Sequence, residues 1–114
     1  MYCVVWTYKM PAGYLAQQIE ELFAKTADIY IGVPGLVRKY FGHSDDRLSV
    51  VGIYLWESKV QADAFYSPEW TAGVTSRWGS MPAKTEWQIP QVVESAEGRV
   101  IIDAATAPEL AGAK

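Results

Sequence analysis

Residues 52–70 read GIYLWESKVQADAFYSPEW, an apolar strand-like run that turns into a helical pattern and is then interrupted by Ser67-Pro68. Gly52–Trp56 complete the stretch LSVVGIYLW over 48–56, nearly continuous in apolar residues as a central strand covered on both faces would be. Ser58, followed three residues later by Gln61, has the form of a capping box. A helix is therefore predicted to start there and to carry Val60, Ala64 and Phe65 inward. Ser67-Pro68 repeats the start signal, with the serine as cap and the proline at the first helical position. Trp70, Val74 and Trp78 then recur at steps of four until Gly79 stops the run. Proline has no amide proton and disfavours helical geometry in the residue before it, so the two segments are predicted to meet at a bend.

Working outward, YCVVWTY over 2–8 is β-branched and aromatic and reads as a first strand, ended by Lys-Met-Pro-Ala-Gly. From about Pro11 a stripe of Leu15, Ile19, Leu22, Phe23 and Thr26 to Tyr30 predicts a helix ending near Gly32. After the Val33-Pro34-Gly35 turn, LVRKYFG alternates Leu36, Arg38 and Tyr40 against Val37, Lys39 and Phe41, a second strand joined through HSDDR to the third. KTEWQIPQVVE is predicted as a fourth strand with Thr85, Trp87 and Ile89 on one face, and Pro90 puts it at a sheet edge or ends it in a bulge.

The resulting order, β-α-β-β-α-β, is that of an α+β, ferredoxin-like domain: a four-stranded antiparallel sheet with both helices on one face. The domain is expected to occupy 1–95, with 96–114 as a C-terminal extension holding one short strand near Arg99–Asp103 and then a tail. The other face of the sheet would expose Cys3, Val5 and the apolar side of the third strand, so a homodimer through the sheet face is expected.

Composition narrows the function classes. The net charge of −3 is spread along the chain without a basic stripe, so nucleic acid is not an expected partner. A single cysteine, Cys3, excludes an internal disulfide and leaves nothing for a four-ligand zinc site. No run approaches the ~18 apolar residues of a membrane span, and no charged leader precedes an apolar segment, so a cytoplasmic protein without membrane contact is expected.

Three stretches carry a family likeness: PGLVRKYFG (34–42), VGIYLWES (51–58) and AFYSPEW (64–70). With the element order, they resemble a small mono-oxygenase family of the dimeric α+β barrel superfamily, which also holds the antibiotic-biosynthesis monooxygenases. The resemblance implies a dimeric α+β barrel, a pocket between sheet and helices in each subunit, and oxygenation of small aromatic or polyketide-like substrates by O2 without metal, flavin or haem. In agreement with that, the sequence has no Gly-rich phosphate loop, no paired histidines and no carboxylates at metal spacing.

Such an oxygenase needs a base, an apolar chamber and donors for the substrate anion. His43, the only histidine, is the candidate base, with a solvated hairpin histidine as the competing reading. Arg38 and Tyr40 share a strand face and would hold the anion if that face is toward the helices; otherwise they cover the sheet surface. Trp6, Tyr54, Trp56, Phe65, Tyr66, Trp70 and Trp78 are candidate walls of an aromatic slot, although rings so placed also build cores. The bend at Ser67-Pro68 is the expected pocket entrance. An isomerase, cyclase or lyase on the same scaffold, or a dimer that only binds an aromatic ligand, are the rival functions.

Overall fold

The computed structural model describes residues 1–103. Strands β1 (Tyr2–Lys9), β2 (Leu36–His43), β3 (Ser49–Trp56) and β4 (Ala83–Gln88) form one antiparallel sheet in the order β2-β3-β1-β4. Helix α1 (Ala16–Ala27) and a 3-10 turn over Asp28–Tyr30 link β1 to β2. Helices α2 (Lys59–Phe65) and α3 (Pro68–Trp78) link β3 to β4. This is the predicted ferredoxin-like α+β arrangement.

Successive strand residues point to opposite faces, and burial alternates accordingly. Tyr2, Val4, Trp6 and Tyr8 of β1 and Val50, Tyr54 and Trp56 of β3 are buried under the helices, where Ile19, Ala62 and Val74 close on them. On the opposite face Cys3, Val5, Ile53 and Leu55 are half-buried, while Trp87 of β4 is exposed. Full burial of one large apolar side chain contributes about 1.5–3 kcal/mol, so the helix-side layer holds the fold together.

The two-segment reading of 59–78 holds in detail. Ser58 Oγ accepts from the Gln61 N–H (3.3 Å) and donates to Gln61 Oε1 (3.0 Å). Ser67 Oγ accepts from the Trp70 N–H (3.2 Å), Pro68 opens α3, and Gly79 ends it in the left-handed region (φ 79°). Ser67→Ala removes the partner of an otherwise orphaned amide and is expected to cost about 1 kcal/mol. Urea unfolding would show a lower midpoint at unchanged slope, and an unmoved midpoint would contradict this role for the cap.

Other boundaries differ from expectation. Helix α1 starts at Ala16 rather than near Pro11, because Gly13 takes a left-handed φ of 101° that breaks helical continuity; the Leu15 N–H instead donates to Gln18 Oε1 (2.8 Å). In α2, Val60 is 77% exposed and Ala64 is also on the surface, whereas Ala62 and Phe65 face inward. The helix has only seven residues before the bend, so Phe65 and Tyr66 packing on the sheet set its phase. The fourth strand stops at Gln88, and after Ile89-Pro90 the chain forms a separate hairpin of β5 (Gln91–Glu94) and β6 (Arg99–Ile102). Proline cannot donate to a ladder, which ends the first pairing there. The boundary expected at 95/96 falls in the turn of this hairpin; β6 is the short strand predicted near Arg99, and the tail from 104 on lies outside the described residues.

Candidate functional site

Strand β2 positions the side chain around which a site can be built. Leu36 pairs with Trp56 and Arg38 with Leu55, leaving Val37 as a bulge with no residue opposite. One inserted residue changes which side chains share a face. Lys39 and Phe41, opposite buried Tyr54 and Gly52, therefore face the helices, and Arg38 and Tyr40 face away beside Leu55 and Ile53.

Lys39 Nζ lies 3.6 Å from the ring centroid of Tyr30, 3.9 Å from that of Phe41 and 4.5 Å from that of Tyr54. No carboxylate pairs with it among the described residues. Burial, reinforced by the nearby Arg77 charge, pulls its pKa down to about 7. Ring faces attract an ammonium by about 0.5–2 kcal/mol, less than the several kcal/mol that desolvating an unpaired ion costs. Burial therefore dominates, and near neutral pH the amine is divided between charged and neutral forms.

Around this amine, Tyr8, Phe41, Val50 and Gly52 of the sheet, Phe23 and Thr26 of α1, and Val74, Arg77 and Trp78 of α3 enclose a throat of about 30 Å³. That is room for one or two waters. A wider apolar cleft of about 500 Å³ adjoins it, lined by Met10, Pro11, Tyr14 and Leu22, and again by Thr26, Arg77 and Trp78. Arg47 Nε donates to the Tyr14 carbonyl (2.8 Å) and so ties the β2–β3 turn to the rim. The Arg77 guanidinium is felt by both Lys39 and Tyr8; burial nonetheless holds the Tyr8 phenol well above its ordinary pKa. Arg77 has no acidic partner among the described residues.

Rings close the sheet side of the helix bend, and its outer side carries only a shallow surface hollow lined by Tyr66, Pro68, Thr71 and Met81. Ring centroids of Tyr66 and Trp70 lie 4.8 Å apart, those of Trp6 and Trp70 5.0 Å, and those of Trp6 and Tyr66 5.3 Å. Trp56 Nε1 donates to the Tyr66 hydroxyl (3.0 Å), and Tyr54 donates to the Tyr30 hydroxyl (3.3 Å). Of the seven rings singled out in the sequence, Trp78 lines the cleft and Tyr54 floors the lysine, while Trp6, Trp56, Phe65, Tyr66 and Trp70 pack the core around the bend. The condition set for Arg38 and Tyr40 is not met: Arg38 Nη1 donates to the Tyr40 hydroxyl (3.3 Å) on the face away from the helices. They line a separate groove of about 470 Å³ under the β5–β6 hairpin. His43 is exposed at the end of β2 with Nδ1 2.8 Å from the Ser44 carbonyl, and it lines neither throat nor cleft. Lys39 and Arg77, which the structure brings to this throat, are not singled out by the sequence reading. The available signal was that Lys39 alternates in step with Phe41 beside the most apolar strand, an unusual place for a lysine.

The folded chain binds the Lys39 proton less firmly than the unfolded chain, so above about pH 7 the unfolded state carries more protons and rising pH favours folding. Below that value both states are protonated and the burial penalty is complete. Relative to Lys39→Met, the wild-type urea midpoint is expected to rise between about pH 7 and 9.5. Parallel profiles for the two proteins would contradict the depressed pKa.

Among the described residues no group of three or more His, Cys, Asp or Glu is arranged to hold a metal ion, and no helix is long and apolar enough to cross a membrane. Several solved structures share the fold. A monooxygenase from Streptomyces coelicolor in complex with nanaomycin D superposes with a TM-score of 0.63 at 18% identity, covering 81% of this chain and 89% of that one. SnoaB, a cofactor-independent oxygenase from Streptomyces nogalater, gives 0.58 at 23% identity, covering 82% and 96%. MhuD, in a form with two manganese protoporphyrin IX per active site, gives 0.59 at 17% identity, covering 82% and 98%. No protein-family model matches the chain, and no curated protein sequence does. The resemblance read in residues 34–70 thus has a structural counterpart: the fold is that of antibiotic-biosynthesis-monooxygenase-like proteins, and it hosts different ligands in different members.

Proposed function

We propose that this chain is a monooxygenase that oxidises a small aromatic or polyketide-like compound with O2 in the cleft between α1 and α3. The observation that carries the reading is the pair Lys39 and Arg77, two side chains without acidic partners among the described residues at the inner end of an apolar cleft. A phenol or enol would lay its rings against Leu22, Met10 and Trp78 with its oxygen toward the throat. The neutral amine of Lys39 accepts the hydroxyl proton, and the resulting ammonium and Arg77 hold the anion. The electron-rich anion reduces O2 itself. For a phenol going to a quinone, one oxygen atom enters the ring and the other leaves as water with two hydrogens of the phenol, all four electrons that O2 takes coming from the ligand.

In this reading His43 is not the base. Oxygen-electrode assays with bicyclic phenols such as 1-naphthol are expected to show uptake matched by quinone formation, and His43→Ala is expected to retain it. Absence of uptake across a phenol panel would overturn the oxygenase. Turnover under nitrogen would favour the second reading that a proton-accepting lysine supports, an isomerase, cyclase or lyase.

The proposal includes a homodimer joined through the sheet face away from the helices. Half-buried Cys3, Val5, Ile53 and Leu55 form its apolar centre, flanked by exposed Tyr40 and Trp87. An apolar strip of this kind is what a subunit contact would cover. Sedimentation equilibrium at micromolar concentration tests it, with a monomer mass as the adverse result.

A further inference from the structure

We propose that Lys39 is also a nucleophilic amine, which condenses with the carbonyl carbon of a ligand that reaches the throat and forms an imine with release of water. The inference rests on the reading of the cleft as a ligand site and names the ligand class: compounds bearing an aldehyde or ketone on a slender arm.

The geometry separates this lysine from others. Lys59 Nζ is 2.7 Å from Asp63 Oδ2 and Lys84 Nζ is 3.4 Å from Glu86 Oε1, so each faces a carboxylate that a carbonyl compound would have to displace. Lys39 turns inward, with ring faces rather than hydrogen-bond acceptors around its nitrogen. Among the described residues the groups around its nitrogen are Tyr30 after α1, Phe41 on its own strand, Tyr54 on β3 and Arg77 on α3; Asp28 shares a neighbouring hollow with Lys39 but forms no ion pair with it. A desolvated lysine beside a second cation is an activated nucleophile. The throat, at about 30 Å³, admits a carbonyl group but not a ring.

The step balances without an oxidant. The amine nitrogen adds to the carbonyl carbon, the carbinolamine loses its oxygen together with both amine hydrogens as water, and a C=N bond replaces C=O.

The test uses the wild-type protein at pH 7 with propanal and limiting sodium cyanoborohydride, followed by peptide mapping in a mass spectrometer. About half of Lys39 is unprotonated at that pH, against about one in three thousand for an ordinary lysine. Lys39 is expected to take the label at least about tenfold faster than Lys59 or Lys84, a preference that vanishes in denaturing urea. Labelling that follows exposure, with Lys39 last, overturns the proposal. A parallel run with 2-hydroxybenzaldehyde separates the inferences. Labelling of Lys39 at lower concentration than propanal requires supports both the imine and the ring cleft. Labelling by propanal alone supports the imine and counts against the aromatic ligand. No label at Lys39 from either aldehyde, with oxygen uptake intact, overturns the imine and leaves the oxygenase standing.

Discussion

Lys39→Met is expected to lower kcat/KM for oxygen uptake by about 10²–10⁴-fold, the usual worth of a positioned acid–base group. Methionine is close in length and lies comfortably against Tyr30, Phe41 and Tyr54, and it introduces no charge into the enclosed position. The fold is therefore expected to survive, which urea unfolding at pH 7 checks. Lys39→Arg separates two roles. Arginine keeps the positive charge but does not deprotonate in proteins, so an anionic ligand still binds while kcat falls. Wild-type turnover by both variants would remove Lys39 from the chemistry.

The second large effect is on stability. Trp56 is fully buried, stacks on Tyr54 at 6.4 Å and 8°, meets Phe65 at 5.4 Å, and donates to the Tyr66 hydroxyl. Trp56→Ala leaves a cavity and takes away the hydroxyl's donor, and is expected to cost about 3–5 kcal/mol. Total stabilities are about 5–15 kcal/mol, so the variant is expected to be largely unfolded at modest urea. Trp87→Ala is the control: at 59% exposure the loss is expected to stay within about 1 kcal/mol. Similar losses for the two would mean that the ring cluster around the bend is not the core.

The elements that were legible are those with local punctuation. Ser58, Ser67-Pro68 and Gly79 each act within one helical turn, and all three work as read. The apolar run at 48–56 also found its central place in the sheet. Three features were hidden, each for a physical reason. The bulge at Val37 has no local signature because it arises from pairing with β3, and it decides which way Arg38 and Lys39 point. The hairpin of β5 and β6 depends on a break at Pro90 that a run of strand formers conceals. The cleft lies at the C-terminal end of α3, away from the bend, because rings flank the bend densely enough to close it. A sequence records the rings but not whether they fill or frame a space, and so most of the aromatic residues taken for a slot are core.

The chain's five tryptophan indoles are separate reporters of where a ligand sits. In ¹⁵N-labelled protein titrated with 1-naphthol, the Trp78 indole N–H resonance is expected to move with saturation, while those of Trp6 and Trp70, at the closed bend, stay in place. Movement of Trp6 and Trp70 with Trp78 unchanged would contradict the cleft between α1 and α3 as the ligand site.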